Sequence, residues 1–213
     1  MPDHYRKIAD LPATIPVFPL DGAIVFPGGA LPLNVFEPRY LNMVDDAMAG
    51  ARIIGMIQTA GPKQDPARPR LATIGCAARI SAYSETGDGR YLITLSGICR
   101  FRVAEELDTL TPYRIVLPDY EPFKHDLSRD PATLSTDKAG LLEALSSYMD
   151  RLGLGTSSKH LDSAPIESLV DTLAAACPFE IKEKQALLEA EDLEARAILL
   201  KALFETTGRT RLM

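Results

Sequence analysis

Residues 15–40 read IPVFPLDGAIVFPGGALPLNVFEPRY, a succession of short apolar pieces cut by prolines and glycines. Ile15 to Phe18 is β-prone, but Pro16 and Pro19 forbid a long regular central strand and predict an edge or bent one. Leu20-Asp21-Gly22 marks a turn, Ile24-Val25-Phe26 follows, and Pro27-Gly28-Gly29 is a second turn signal. Leu31, Leu33 and Val35 then alternate with Pro32 and Asn34, the pattern of a half-buried strand. Pro38 suits the first turn of a helix, on which Tyr40, Met43, Val44 and Ala47 share one face and which Gly50 is placed to end. Glu37 precedes that helix, where a carboxylate complements the positive end of the helix dipole.

Working outward, Arg52 to Gln58 (RIIGMIQ) is a buried-strand candidate, and the proline-rich stretch from Gly61 to Arg70 is a loop. Leu71 to Ser84 is β-compatible, with Gly75 a candidate bulge or close backbone approach. Thr86 to Gly89 (TGDG) predicts a hairpin into Tyr91 to Leu95, and strand character resumes from Ile98 to Leu107 after Gly97. Tyr113, Ile115 and Leu117 form a further alternating run. Many short strands and a single helix predict a strongly bent or barrel-like sheet, not a doubly wound parallel one.

Beyond a polar stretch from Glu121 to Ser135, the apolar period changes to that of helices. Leu141, Leu145, Tyr148, Met149 and Leu152 share one face; Ile166, Leu169, Val170, Leu173 and Cys177 share another, with Ser163 a candidate cap and Pro165 in the first turn. Lys182 to Ala190 is a short helix. Asp192 can cap a last one carrying Leu193, Ala197, Leu200 and Phe204, with Gly208 after its end. The reading is α+β: a β-rich body over residues 1–120, a connection over 121–137 and a helical subdomain over 138–213.

The chain of 213 residues carries 29 acidic and 23 basic side chains, a net charge of −6 spread along its length. That balance leaves no footprint for a phosphate backbone, and the short basic stretches Arg68–Arg70 and Arg209–Arg211 read as solvated loop and tail, so no nucleic-acid partner is expected. The N-terminal stretch lacks a signal-peptide apolar core, and no apolar run is long enough for a transmembrane helix, so neither export nor a membrane is expected. Cys76, Cys99 and Cys177 are odd in number and lie in apolar stretches, as buried thiols of a cytoplasmic protein would.

Chemistry-bearing patterns are sparse. His4, His125 and His160 stand far apart and outside any zinc pattern, so no metal is expected. The glycines form turns, not phosphate-binding loops, and no cofactor is expected. No GxSxG or SxxK occurs, and Ser96 at a strand end has no neighbouring base in sequence, so no catalytic residue is named. The acidic cluster Glu189, Glu191, Asp192 and Glu194 reads as a helix-capping junction.

The Ile15–Tyr40 segment resembles the first motif of the Lon protease N-terminal, substrate-binding domain family, PLFPLxxxVLFPGxxLPLxIFEPRY. The likeness continues at Ile54-Gly55-Met56, at the Gly75 strand, at Gly97-Ile98-Cys99-Arg100-Phe101-Arg102-Val103 (the family's G-x-x-R-F pattern) and at Glu183 to Glu189, which resembles the family's EKQxLLE stretch. It spans about residues 15–207. The ATPase and Ser–Lys peptidase modules of a full Lon protease have no match here, so the chain looks like a stand-alone bacterial Lon-domain protein. The resemblance implies an N-terminal bent β-sheet or PUA-like pseudo-barrel body with one helix, followed by a C-terminal helical bundle. It also implies a non-catalytic role in engaging polypeptides.

On that basis the candidate binding residues are Phe36, Glu37, Arg39 and Tyr40, bordering a recognition groove, and also Arg100 and Phe101. A purely structural reading competes: Glu37 and Arg39 fix the strand-to-helix corner by local pairing, Phe36 and Tyr40 pack in the core, Arg100 pairs locally and Phe101 is buried. Expected partners are unfolded or misfolded polypeptides or a protease, with weak homo-oligomerisation allowed for. The alternatives are an adaptor or assembly scaffold for a protease, and an ATP-independent hydrolase.

Overall fold

The punctuation of the first forty residues sets the course of the chain in the computed structural model, which describes residues 5–61, 68–128, 137–153, 161 and 163–206. They fall into two compact units, Met1–Arg129 and Asp130–Met213. His4, His160, Gly208 and Arg209–Arg211 lie outside the described residues, as does most of the Gly61–Arg70 loop.

The first unit holds six strands: β1 (Ile15–Pro19), β2 (Ala30–Val35), β3 (Ile53–Ile57), β4 (Ile74–Glu85), β5 (Tyr91–Leu107) and β6 (Arg114–Asp119). Helix α1 (Pro38–Ala49) follows β2, with Glu37 at its N-cap and Tyr40, Met43, Val44 and Ala47 buried, as the sequence predicts. The proline-bounded β1 pairs on both sides, parallel to β3 and antiparallel to β6. Ile24, Val25 and Phe26 are buried without forming a strand.

The strand order is β2-β5-β4-β3-β1-β6, and β6 also pairs with the rear of β5. The mixed sheet thus returns on itself through β5, while β2 hangs on the front half of β5 outside that ring; it is not a clean barrel. A register shift between Ala77 and Ala78 leaves Ile98 bulged next to Gly97, which bends β5 and lets one strand serve three partners. The two strand segments expected on either side of Gly97 are therefore one strand of 17 residues. Gly97 is required by contact: a Cβ there would lie 2.0 Å from the Phe26 carbonyl oxygen.

Ile15, Val17, Ile53, Ile57, Ala77, Ile98, Phe101 and Val116 form the heart of the β core. The alternation expected for Tyr113, Ile115 and Leu117 holds only at Tyr113, which is buried; within β6 it is Val116 that enters the core, and Leu117 is exposed. The polar stretch read as the start of the connection forms a 3-10 segment, Glu121–Leu127, whose Phe123 and Leu127 join that same core.

The second unit contains α2 (Lys138–Arg151), α3 (Ile166–Ala176), α4 (Ile181–Glu189) and α5 (Leu193–Thr206). Its centre is an aromatic trio, Tyr148, Phe179 and Phe204, with ring centroids 5.2–5.6 Å apart. Asp192 caps α5 by accepting from the Ala195 N–H at 2.8 Å, as predicted. The expected cap of α3 is displaced: Pro165, not Ser163, occupies the N-cap. No described helix is long and apolar enough to cross a membrane.

Gly97→Ala should destabilise the β body by about 3 kcal/mol or more, since backbone must move to admit the methyl group. Gly87→Ala, with open space around its Cβ position, should leave the denaturation midpoint nearly unchanged, and urea titration of both variants checks the contrast.

Candidate functional site

The strand-to-helix corner after β2 delivers FEPRY to the surface. Pro38 begins α1 and Glu37 sits in extended backbone just before it. Arg39 turns back on Glu37, its Nε and Nη2 donating to one carboxylate oxygen at 3.0 and 2.8 Å. The same guanidinium lies 4.6 Å from the centre of the Tyr40 ring, and that ring packs on Phe18 at 4.2 Å. Tyr40 is buried, and burial raises its phenol pKa. The local pairing and the core packing of Tyr40 are thus both present. Phe36 departs from the core reading: it is 61% exposed and faces the Arg90 guanidinium at 5.8 Å. Val35 points inward, so the alternation of extended backbone turns the next side chain to the outer face.

Arg100 and Phe101 lie elsewhere. Arg100 is 1% exposed; its Nε and Nη2 bind the two oxygens of Asp126 at 2.9 Å, its backbone N–H donates to the same carboxylate, and its guanidinium stacks 4.6 Å from the Phe123 ring. His125 Nε2 lies 3.0 Å from Nη2. Phe101 is in the core against Tyr120. These two residues hold the 3-10 segment onto the sheet and present nothing to a ligand, so they are not grouped with the FEPRY corner.

Arg39 and Tyr40 instead line a cleft of about 190 Å³ together with Pro19, Arg68, Leu107, most of the β5–β6 loop between Asp108 and Tyr113, and Arg114 at the start of β6. Its floor is braced by Glu106, which accepts from Arg114 Nε at 2.9 Å and from Arg68 Nη2 at 2.8 Å. These guanidinium bonds, Arg114 foremost, hold the Glu106 carboxyl below its ordinary range. Tyr113 is held from below by a 2.5 Å bond to Asp46 of α1; burial first, then that bond, pushes its phenol up to about 12. Leu110, fully exposed, stands on the loop between the lining residues Thr109 and Thr111. Arg39 uses two nitrogens on Glu37, and its other N–H groups have no partner among the described residues. The cleft can therefore offer N–H donors to a carbonyl or carboxylate beside apolar prolines and a leucine. The lining from Asp108 to Arg114 was not anticipated, since its DTLTP composition signals only a turn.

Nucleophilic chemistry finds little support in the geometry. The Ser96 hydroxyl meets another alcohol, Ser81, at 2.8 Å. Cys76, Cys99 and Cys177 are buried free thiols; desolvation raises Cys99 strongly and pushes Cys177 up to about 11, which disfavours the thiolate. Among the described residues, no group of three or more His, Cys, Asp or Glu side chains is placed to hold a metal ion.

The model of the ATP-dependent protease La (LON) substrate-binding domain matches residues 14–203. The chain belongs to this family. Among relatives of this LON domain, Lon protease 2 of Myxococcus xanthus is 29% identical over 203 residues, covering 95% of this chain and 24% of that protein. The Lon protease of Parabacteroides distasonis is 31% identical over 201 residues, again covering 24% of its own length. The chain thus spans about a quarter of the curated relatives it matches. In fold it is similar to the crystal structure of a Lon N-terminal domain protein from Xanthomonas campestris, with a TM-score of 0.62, 22% identity, and coverage of 89% of this chain and 97% of that one. It is likewise similar to the N-terminal domain of Mycobacterium avium complex Lon protease, with a TM-score of 0.63, 18% identity, and coverage of 91% and 99%.

Arg100→Ala should cost about 3–5 kcal/mol, because Asp126 is left buried without its counter-charge, whereas Arg39→Ala should cost less than about 1 kcal/mol; chemical denaturation of both separates the structural arginine from the surface one. Glu106 contributes stability above its unfolded pKa, and that contribution is lost as pH falls through its lower folded value. The stability difference between wild type and Glu106→Gln should accordingly be full at neutral pH and shrink below about pH 4, which denaturation at stepped pH would show.

Proposed function

We propose that the protein is a non-catalytic polypeptide-recognition module that takes extended chain into the cleft between the start of α1 and the β5–β6 loop. The observation that carries this reading is the cleft itself: Arg39, with donors to spare, beside Pro19, Leu107 and Pro112, with the exposed Leu110 on the loop that borders it. A peptide backbone supplies carbonyl oxygens for the guanidinium, and its side chains supply apolar area for the prolines and leucine. The neighbouring Glu106 network holds the floor rigid, which limits the ordering cost of binding. Membership of a substrate-binding domain family supports recognition of polypeptides as the task.

Unfolded or misfolded chains are the clients we favour, since a small open cleft reads short segments and not folded surfaces. Buried free thiols support a reducing, cytoplasmic setting.

Fluorescence anisotropy with labelled, permanently unfolded casein provides the test. Binding in the micromolar range, weakened about tenfold by Arg39→Glu and by Leu110→Asp without change in melting temperature, is the expected result. Absence of binding at several hundred micromolar protein, or binding indifferent to both substitutions, would remove the cleft from consideration.

A further inference from the structure

Strand β2 stands first in the sheet order and pairs only with β5, so its other edge has no strand partner among the described residues. The hydrogen-bonding phase of that edge can be worked out. The register sets Ala30 opposite Ser96, which places Gly29 opposite Gly97, and the Gly97 N–H donates to the Gly29 carbonyl at 2.9 Å. In an antiparallel ladder the residues that exchange bonds with the neighbour alternate with those that do not. Leu31, Leu33 and Val35 therefore direct their backbone groups to β5, and Ala30, Pro32 and Asn34 direct theirs to the open side. Pro32 confirms the phase, since proline is tolerated where its missing N–H would face outward. The free edge thus carries two N–H donors, from Ala30 and Asn34, and three carbonyl acceptors, from Ala30, Pro32 and Asn34.

The side chains along this edge are unusual for one left open. Ala30 to Phe36, ALPLNVF, contains no charged residue. Ala30, Pro32 and Asn34 are all exposed. Phe36, at 61%, and Leu92 of β5, opposite Asn34 and 47% exposed, add apolar area to the same face. Edge strands are commonly guarded by lysines or inward charges; here Pro32 is the one such guard within the strand.

We propose that the β2 edge is a strand-addition site for an extended, uncharged segment of another polypeptide, with a residue other than proline opposite Pro32. This rests on the polypeptide-recognition reading but assigns a separate, backbone-reading site. The proline argues against a second copy of this chain as occupant. Two-fold pairing centred on Pro32 sets proline against proline, forfeiting both central bonds and keeping four, and the other in-phase registers pair fewer edge groups. A partner with an N–H opposite Pro32 engages all five edge groups. Because the strand is uncharged and the exposed Phe36 follows it, uncharged segments with apolar residues at alternate positions fit best.

The probe is a fluorescein-labelled peptide with an alternating Thr-Val core, compared with the same peptide N-methylated at every core amide, so that neither of its edges can donate. On the wild-type chain the unmodified peptide should bind, and methylation of the pairing amides should weaken it about tenfold or more. Asn34→Pro, which removes an edge donor, should weaken the unmodified peptide with the melting temperature preserved; the methylation comparison needs no variant and stands if that one misfolds. Failure of the peptide to bind, or binding insensitive to methylation, overturns the edge site. A dimer in size-exclusion chromatography that Asn34→Pro dissolves overturns it in favour of a second copy. If the edge fails while unfolded casein still binds in an Arg39-dependent way, the cleft reading survives; if both fail, polypeptide recognition itself falls.

Discussion

One strand has three neighbours. β5 pairs with β2 and β4 along its front and with β4 and β6 toward its rear, and the fold of the first unit depends on its changing direction without breaking. The bend is a matter of contact distances. The backbone at Gly97 passes so close to the Phe26 carbonyl that no side chain fits between them, and Gly75 on β4 is similarly pressed against Met56 and Phe101. The approach at Gly97 brings the Ile24–Phe26 segment down onto the sheet, which in turn positions β2 and the start of α1. The exposed corner is therefore set by packing some ten residues or more away from it in sequence.

That arrangement gives neighbouring residues of one motif two separate jobs. Tyr40 anchors α1 by packing on Phe18, while Arg39, one residue earlier, lies over its outer face with donors left over. Phe36 points to solvent because its neighbour Val35 points inward. Arg100, drawn in with these residues by its place in a shared sequence pattern, is sealed in the interior by Asp126. A guanidinium so deeply enclosed is compatible with the fold because its nitrogens meet carboxylate, imidazole and an aromatic face together.

Much of the local structure could be read from the residues. The alternation of Leu31, Leu33 and Val35, the proline that opens α1, the apolar run of β3 and the capping Asp192 act over a few positions, and each appears where its pattern puts it. What escaped depends on partners distant in sequence. Nothing near Gly97 announces the Phe26 carbonyl; nothing near Arg100 announces an aspartate 26 positions later; and nothing near Val116 announces the β1 and β5 strands that it meets. The cleft was half visible, through Arg39 and Tyr40, because the loop that closes it carries only turn-forming residues whose neighbours are fixed by the sheet.

The ion pair beneath the sheet also bears on where the first unit can be cut. A fragment designed to stop at the end of β6 would keep every strand yet strip the Arg100 guanidinium of its carboxylate and expose the cavity vacated by Phe123 and Leu127. The short coil after the last strand is thus a cork for the vessel, and the smallest self-sufficient version of this body must extend through Leu127.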